Sequence, residues 1–583
     1  MTNKHNKQMP NAKPVKPNIF EVLKPYRLMI FSLIGFALLS NGVNLVIPKL
    51  ISHGIDDFSK GVFSYHTLIT EFLIASLVIF IFTFFQGILQ TYASERVARD
   101  LRTKLADKIS RQSYAFIQKA NPSKLLTNLT SDIDSIKMFV SMAIVSLTSS
   151  VFIIIGASIL LISINWKLAL SVLAIIPIIG GTFFLVFRKV RVLFKKSREV
   201  IDWLNKVISE SIMGAALVRV LNSQMLEYTK FVDANSQAKD LGISILKLFA
   251  TLMPIVVFVG NMASLIVLAQ GGHYVITGAM SLGDFAAFNS YIAILIFPII
   301  IIGFISNFMV QASVSYARIY SVLNAEETSD TGTLNNPLHG KIEMQNISVI
   351  YGDKPALENI SLTIQSSSKT AVIGPTAAGK TQLLYLLTGL VQPEKGKILF
   401  DGVDINEYNK ELFQHQIGFV FQDSVIFNMS LRENIAFNEK VTSELMAKAI
   451  ETAELNDFID TLPDGLETIV SERGTSLSGG QKQRIMLARA LALNPKILLL
   501  DDFTARVDSQ TEQKILNNVE RNYPGITLLS VTQKVASVMN YSQIILLEEG
   551  EILASGTHDS LMSTSPEYVQ IFNSQRSTSN YEL

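Results

Sequence analysis

The stretch Gly374-Pro-Thr-Ala-Ala-Gly379-Lys380-Thr381 decides the fold of the carboxyl-terminal part of this 583-residue chain. It follows the short apolar run Thr370–Ile373 and precedes the helical pattern Gln382–Leu390. A glycine-containing loop between a strand and a helix wraps phosphate in backbone N–H groups, its lysine reaches the β/γ oxygens, and the next hydroxyl ligates Mg²⁺. The stretch therefore predicts a site for ATP and Mg²⁺.

Two further motifs follow along the chain. The first is Leu477-Ser-Gly-Gly-Gln481 and the second is Leu498-Leu-Leu-Asp501-Asp502. Asp501 ends an apolar strand, and we expect it to be a second Mg²⁺ contact, made through water. Strand-like runs alternate with helical patterns, which predicts an α/β domain with a mainly parallel sheet. The runs are Ile342–Val349, Thr370–Ile373 and Lys496–Leu500.

Composition indicates that the rest of the chain lies in a membrane. Hydrophobic residues make up 49% of the chain and charged residues 17%, which is too apolar for a purely soluble protein. Because the net charge is +1, we expect no nucleic acid as a partner. The chain has no cysteine, which excludes disulfides, thiolate zinc sites and cysteine nucleophiles.

Six apolar stretches are each long enough for the roughly 20 residues that cross a bilayer. Buried helices of a soluble protein are the alternative, but such helices rarely run this long without charge. The predicted spans are Leu28–Pro48, Phe72–Tyr92, Met138–Ile164, Leu168–Phe187, Leu246–Ala269 and Phe285–Phe308. The predicted domains are a disordered cytosolic tail at 1–18, a transmembrane domain at 19–325, a linker at 326–340 and a nucleotide-binding domain at 341–583.

Basic residues predict the topology of these spans. Lys and Arg are concentrated in the amino-terminal tail, in Arg96–Arg111 and in Arg188–Arg198, and are scarce in Asn165–Lys167 and Gln270–Gly283. The positive-inside rule then places both termini and the nucleotide-binding domain in the cytoplasm of a multi-pass protein of the cell membrane. The loop Pro48–Glu71 is expected outside.

Two long cytoplasmic loops keep a helical periodicity. We interpret them as helices that leave the membrane, turn near Tyr114–Ala120 and Ala215–Asn222, and run back. At 1.5 Å per residue, about 20 residues of extension reach roughly 30 Å. The alternative is a pair of amphipathic loops lying on the lipid surface.

Polar side chains within the spans have two possible roles. They could face a substrate pathway, or they could hydrogen-bond neighbouring helices for about 1 kcal/mol each. The residues are Asn41, Asn44, Gln86, Gln90, Asn261 and Asn289. No Asp, Glu, Lys or Arg lies deep within a predicted span, so the sequence shows no proton relay.

With these motifs in this order, the chain from Ile342 to about Phe572 resembles the nucleotide-binding domain of ABC transporters, and the whole chain resembles a half-transporter of the type IV exporter fold. The resemblance implies that Tyr351 stacks on adenine and that Gln422, in Phe421-Gln-Asp423, touches Mg²⁺ and the membrane domain. It identifies Leu477–Gln481 as the family's signature and Ser471–Gly474 as the short loop before it. The two turns in the cytoplasmic loops would be coupling helices.

The resemblance also implies a set of site residues. Metal contacts would come from Thr381, Gln422 and Asp501. Catalytic positions would be Asp502, Gln533 and Gln422. Nucleotide contacts would come from Tyr351, Gly374, Pro375, Thr376, Ala377, Ala378, Gly379, Lys380, Thr381, Gln382, Ser478, Gly479, Gly480 and Gln481.

The departures from the family pattern predict a damaged site. Asp502 stands where hydrolytic sites of the family carry glutamate, and its carboxylate sits back by one C–C bond, about 1.5 Å. Gln533 stands at the switch position, usually histidine, and cannot take a positive charge. Losing a positioned base typically costs about 10²–10⁴ in rate. Ala377 and Ala378 replace the usual Gly-Ser, and we expect these small residues to fit.

In this family the signature of one nucleotide-binding domain closes over the phosphate loop of another. The chain therefore resembles the degenerate-site subunit of bacterial heterodimeric multidrug exporters: an ABC-type ATPase that binds ATP, hydrolyses it poorly, and exports hydrophobic compounds (drugs or lipids) with a partner that carries the glutamate and the histidine. A slow homodimer, an ATP-responsive regulatory subunit and an importer on the exporter fold remain alternatives.

The first span begins by about residue 28, so no peptidase domain of a peptide exporter is expected. The sequence does not identify the cargo.

Overall fold

The computed structural model describes residues 18–327, 332–351, 354–471, 474 and 476–579. Contacts within the chain divide it into two units. The membrane unit comprises Met1–Arg111 and Ala120–Glu326, and the nucleotide unit comprises Gln112–Lys119 and Glu327–Leu583. The tail predicted to be disordered, residues 1–18, lies outside the described residues apart from Asn18, and its disorder stays a prediction.

Long helices make up the membrane unit. Among the described residues, six helices are long and apolar enough to cross a membrane. They are α1 Ile19–Ser59, α2 Tyr65–Ser110, α4 Pro122–Ile164, α5 Trp166–Met213, α7 Gln224–Ile276 and α8 Leu282–Leu323. Two short helices, α3 Tyr114–Ala120 and α6 Ala215–Val220, lie at the turns of the two long loops.

The loop predicted over Pro48–Glu71 is wrong for most of its length, whereas its external location stays a prediction. Helix α1 continues through Pro48 to Ser59, and α2 begins at Tyr65, so only residues 60–64 are non-helical. A proline removes a single helical N–H, and membrane helices tolerate this when neighbouring groups satisfy the freed carbonyl. The polar residues after Pro48 indicated a loop. Their contact partners at the start of α8 are distant in sequence and could not be recognised from the sequence.

A cluster of polar contacts, the α1–α8 clasp, joins the end of α1 to the start of α8. The carboxylate of Asp56 accepts hydrogen bonds from the Ser281 hydroxyl (2.7 Å) and the Gly283 N–H (2.8 Å). Lys49 forms an ion pair with Asp284 at 2.9 Å. The Asp56 carboxylate thus satisfies an N–H group at the amino terminus of α8, where the helix dipole favours negative charge.

Some of the polar residues within the predicted spans bond to helices. Gln90 on α2 donates to the Ser141 carbonyl on α4, whereas Asn41 and Asn289 donate to carbonyls of their own helices at 2.7 and 3.4 Å. Hydrogen bonding to a neighbouring helix therefore accounts for Gln90 without a substrate.

The described part of the nucleotide unit contains two sheets. Its strands are β1 Ile342–Tyr351, β2 Lys354–Ile364, β3 Lys369–Ile373, β4 Lys395–Phe400, β5 Val403–Asp404, β6 Ile417–Val420, β7 Ile497–Asp501, β8 Thr527–Val531, β9 Gln543–Glu548 and β10 Glu551–Gly556. An antiparallel sheet has the order β2-β1-β4-β5, and a second sheet has the order β10-β9-β3-β8-β7-β6. In the second sheet only the β9–β10 pair is antiparallel, so the predicted mainly parallel sheet is confirmed.

Helices flank these sheets on both sides. They are α9 Lys380–Leu387, α10 Lys410–Gln414, α11 Leu431–Ile435, α12 Ser443–Thr452, α13 Asn456–Asp460, α14 Gly479–Leu491, α15 Ser509–Asn522, α16 His558–Thr564 and α17 Pro566–Ser579. Strand β7 is buried along its whole length: Leu498 and Leu500 enter one hydrophobic cluster, and Leu499 enters the other. Burial on both faces explains why its sequence is continuously apolar.

The carboxyl ends of β3, β7 and β8 meet at one edge of the parallel sheet. The phosphate-loop sequence follows β3, Asp501 ends β7, and Gln533 follows β8. In open α/β sheets this edge is where ligands bind. The topology therefore brings three separate motifs to one place.

Candidate nucleotide site

A cavity of about 340 Å³ lies at this edge of the sheet. It is lined by Ala356, Thr376, Ala377, Ala378, Gly379, Lys380, Thr381, Gln382, Gln422, Asp501, Asp502, Val531 and Gln533. A larger cavity of about 1150 Å³, lined by α3 and by residues such as Leu390 and Phe413, contains none of the predicted site residues whose side chains the structure describes. The smaller cavity is therefore the candidate site.

Glycines allow the phosphate loop to fold tightly. Gly374 and Gly379 have φ angles of 153° and 96°, which side chains rarely adopt. A Cβ on Gly379 would lie 2.5 Å from the Ala356 carbonyl oxygen. Ala377 has a φ of 67° without being glycine, which costs about 1–2 kcal/mol. Ala377 fits in the loop, as expected, but under backbone strain.

Lys380 points back into the loop. Its Nζ donates to the carbonyl oxygens of Gly374 (2.8 Å) and Pro375 (2.7 Å). Neither of these two residues is among the described residues that line the cavity. Burial lowers the pKa of Lys380, and the charges of Asp502 and Asp501 oppose that shift. A phosphate in the loop would offer this amine a stronger, charged acceptor than a carbonyl.

Asp501 lies buried at the end of β7, beside the hydroxyl of Thr381. Burial raises the pKa of Asp501 to about 6, although the hydrogen bond from Thr381 lowers it. Its Oδ2 atom has no hydrogen-bond partner among the described residues. A buried carboxylate oxygen without a partner is costly, and a divalent cation would compensate it.

The residues present therefore fit Mg²⁺ and a nucleoside triphosphate. The loop amides and Lys380 would hold the phosphates, and the oxygens of Thr381, Asp501 and Gln422 would hold the metal, which takes oxygen ligands. A bound Mg²⁺ supplies neutralisation of phosphate charge.

Asp502 and Gln533, the two predicted catalytic positions with an altered residue, lie in the cavity wall. Asp502 adopts a left-handed backbone conformation (φ 48°), and its N–H donates to the Val531 carbonyl at 2.9 Å. Gln533 is exposed, and its Nε2 lies 3.5 Å from the hydroxyl of Thr376 in the phosphate loop. The structure thus places Asp502 and Gln533 beside Lys380 and Thr381 in one cavity.

The signature lies at the start of α14 and, in the described part of the chain, does not line this cavity. The Ser478 hydroxyl accepts from the Gln481 N–H (3.2 Å), and the Gln481 side chain accepts from the Ser478 N–H (2.8 Å), a capping box. Gly480 packs so closely that a Cβ would lie 2.9 Å from the Arg506 carbonyl oxygen. The helix terminus is therefore well formed, with Ser478 exposed.

Some predicted site residues lie outside the described part of the chain. This applies to the side chain of Tyr351 and to Glu472 and Arg473 of the loop before the signature. Two residues of the cavity wall, Ala356 and Val531, were not predicted from the sequence. The apolar strand pattern ending at Val531 could have indicated that residue, because carboxyl strand ends meet at this edge.

Comparison with known proteins agrees with this architecture. The family described as "ABC transporter transmembrane region" matches residues 29–299, and the family described as "ABC transporter" matches residues 357–505. An uncharacterised ABC transporter ATP-binding protein of Bacillus subtilis, YfiB, is 32% identical over 95% of this chain and 97% of its own length.

The chain belongs to the ABC transporter family. Another relative is an "ATP-dependent lipid A-core flippase" of Syntrophus aciditrophicus, which is 30% identical over 85% of this chain and 83% of its own length. The solved structure of a bacterial Atm1-family ABC exporter with ATP bound matches with a TM-score of 0.76 and 21% identity. That match covers 94% of this chain and 98% of the other. This ABC transporter chain therefore has the fold of an exporter half-transporter: six apolar helices followed by an ATP-binding domain.

Proposed function

We propose that this ABC transporter chain is one half of a heterodimeric exporter that moves hydrophobic compounds, drugs or lipids, across the cytoplasmic membrane. The observation that carries the proposal is the cavity in which Asp502 and Gln533 stand beside an intact phosphate loop. The chain's own site binds ATP and hydrolyses it poorly. A relative named as a lipid A-core flippase supports a lipophilic cargo.

Poor hydrolysis follows from the chemistry of the two substituted residues. The Asp502 carboxylate is one methylene too short to hold the attacking water where a glutamate would hold it. Gln533 offers an amide hydrogen bond to a γ-phosphate but no positive charge for the transition state. The binding groups, Lys380, Thr381 and Asp501, are all retained in the cavity.

A partner chain follows from the signature. Ser478 and Gln481 keep a complete capping box at the start of α14, away from the cavity of their own chain. In the proposed heterodimer this helix terminus completes the partner's site, whose glutamate and histidine carry out hydrolysis. Helices α3 and α6 are the coupling helices, and both termini and the ATP-binding domain are cytoplasmic.

The test is ATP binding and Mg²⁺-dependent ATP turnover, measured on the same purified chain. We expect tight binding with almost no turnover, and turnover restored when the chain is co-expressed with a glutamate-bearing homologue. Brisk turnover by the chain alone would contradict the proposal and favour a homodimer in which Asp502 suffices. Binding without turnover in any pairing would favour a regulatory subunit.

A further inference from the structure

The irregular segment Gln533–Val535, the switch loop, follows β8 and is held by a side chain from a different element. Its backbone groups lie outside the sheet and need other partners. Gln575 on α17 supplies two: its Oε1 accepts from the Val535 N–H at 2.9 Å, and its Nε2 donates to the Gln533 carbonyl at 2.6 Å. One amide thus binds both ends of the loop.

Helix α17 is itself firmly anchored. Tyr568 is fully buried in the same hydrophobic cluster as Val535 and Val538. Its hydroxyl lies 2.7 Å from Nδ1 of His558, on α16. Because the helix is fixed to the core, the Gln575 amide holds the switch loop in one position.

The opposite side of the switch loop has its own contacts. The Lys534 amine donates to the Thr504 carbonyl at 3.1 Å, and the Lys534 N–H donates to the Thr532 hydroxyl at 3.1 Å. The side chain of Gln533 is exposed and turned toward the phosphate loop. The direction of the Gln533 side chain therefore depends on a backbone that is held by Gln575 of α17 and by the contacts of Lys534.

We propose that Gln575 is a positioning residue: it holds the switch loop so that Gln533 faces the γ-phosphate, and so it sets the preference of this site for a nucleoside triphosphate over a diphosphate. The inference rests on the proposed function, in which Gln533 contacts the γ-phosphate. Gln575 is not among the described residues that line the nucleotide cavity. Its effect must therefore appear only with ligands that have a γ-phosphate.

The experiment measures the affinity of the full-length chain for Mg²⁺ with AMP-PNP, a non-hydrolysable triphosphate, and for Mg²⁺ with ADP. Gln575→Leu has nearly the same size and forms neither hydrogen bond. We expect its affinity for AMP-PNP to fall about tenfold, as loss of an oriented contact to a charged group implies, while its affinity for ADP stays within about twofold. Gln570→Leu, an exposed glutamine on the same helix, is the matched control and should change neither affinity.

A second variant separates the two hydrogen bonds. Gln575→Glu keeps an acceptor for the Val535 N–H but sets a carboxylate oxygen against the Gln533 carbonyl oxygen, so we expect a fall for AMP-PNP at least as large as that of Gln575→Leu. If Gln575→Leu weakens AMP-PNP and ADP equally, or changes neither affinity, the positioning role is wrong. Gln533→Ala distinguishes the two proposals: if it leaves the triphosphate preference intact, the proposed role of Gln533 fails. If it abolishes the preference and Gln575→Leu does not, only the role of Gln575 fails.

Discussion

At the scale of single residues, Ala377 is strained where the family usually has glycine. Its φ of 67° lies in the left-handed region, where glycine carries no Cβ penalty. We predict that Ala377→Gly raises the free energy of unfolding of the nucleotide domain by about 0.5–1 kcal/mol, because relief of strain exceeds the added entropy of the unfolded chain. Scanning calorimetry of the full chain measures this.

The neighbouring residue provides the control. Ala378 is 2% exposed, and its φ is not positive. Ala378→Gly therefore removes a packed methyl group and adds unfolded-state entropy, and we expect it to lower stability by about 1 kcal/mol. If both substitutions shift the transition in the same direction, the strain at Ala377 is not the cause.

The proposed loss of hydrolysis can be tested by restoring glutamate and histidine at the two proposed catalytic positions. Asp502→Glu combined with Gln533→His restores both the base and the charged switch side chain in a cavity that keeps its binding groups. We expect ATP turnover by the chain alone to rise about 10²-fold, near the lower end of what a positioned base contributes. Turnover is measured with saturating Mg²⁺ and ATP. Adding Lys380→Ala to the repaired chain should remove the gain; unchanged turnover in the repaired chain would place the defect elsewhere.

At this scale, a feature can be predicted from the sequence when the residues that determine it are close together in the chain. The phosphate loop is a local motif between a strand and a helix, so its position could be predicted from a short stretch. The hydrogen bonds of Gln575 with Val535 and Gln533 join residues that are 40 and 42 positions apart in the chain. A single sequence carries no signal for these contacts.

At the scale of elements, the α1–α8 clasp relies on one carboxylate. Asp56 bonds two groups at the start of α8, whereas its neighbour Asp57 is exposed. We predict that Asp56→Ala lowers the free energy of unfolding of the detergent-solubilised chain by about 1–2 kcal/mol, as loss of a helix cap does. Asp57→Ala is the matched control and should have little effect. Equal losses in thermal unfolding, followed by circular dichroism, would contradict the prediction.

The same clasp shows why element boundaries were harder to predict than element types. Apolar length identified the membrane helices, and apolar runs identified β3 and β7, because each signal lies within its own segment. The end of α1 was misplaced at Pro48: the helix continues to Ser59, and its Lys49 and Asp56 contact residues at the start of α8 that are distant in sequence. Contacts with residues distant in sequence determine where such a helix ends, whereas apolar composition identifies the membrane span.

At the scale of the whole molecule, the proposed heterodimer predicts that two substitutions in this chain lower ATP turnover by different amounts. Ser478→Ala removes a hydroxyl that, in the proposal, faces the partner's ATP, so we expect turnover of the complex to fall about 10²-fold or more, as for loss of an oriented donor to a developing charge. Lys380→Ala weakens ATP binding at the poorly hydrolysing site, where occupancy stabilises the closed dimer by mass action, so we expect only a several-fold fall that high ATP concentration partly restores. Both are measured as ATPase activity of the purified pair across ATP concentrations. In a homodimer every site contains both residues, so the two variants would be equally inactive; in an asymmetric pair only Ser478→Ala is.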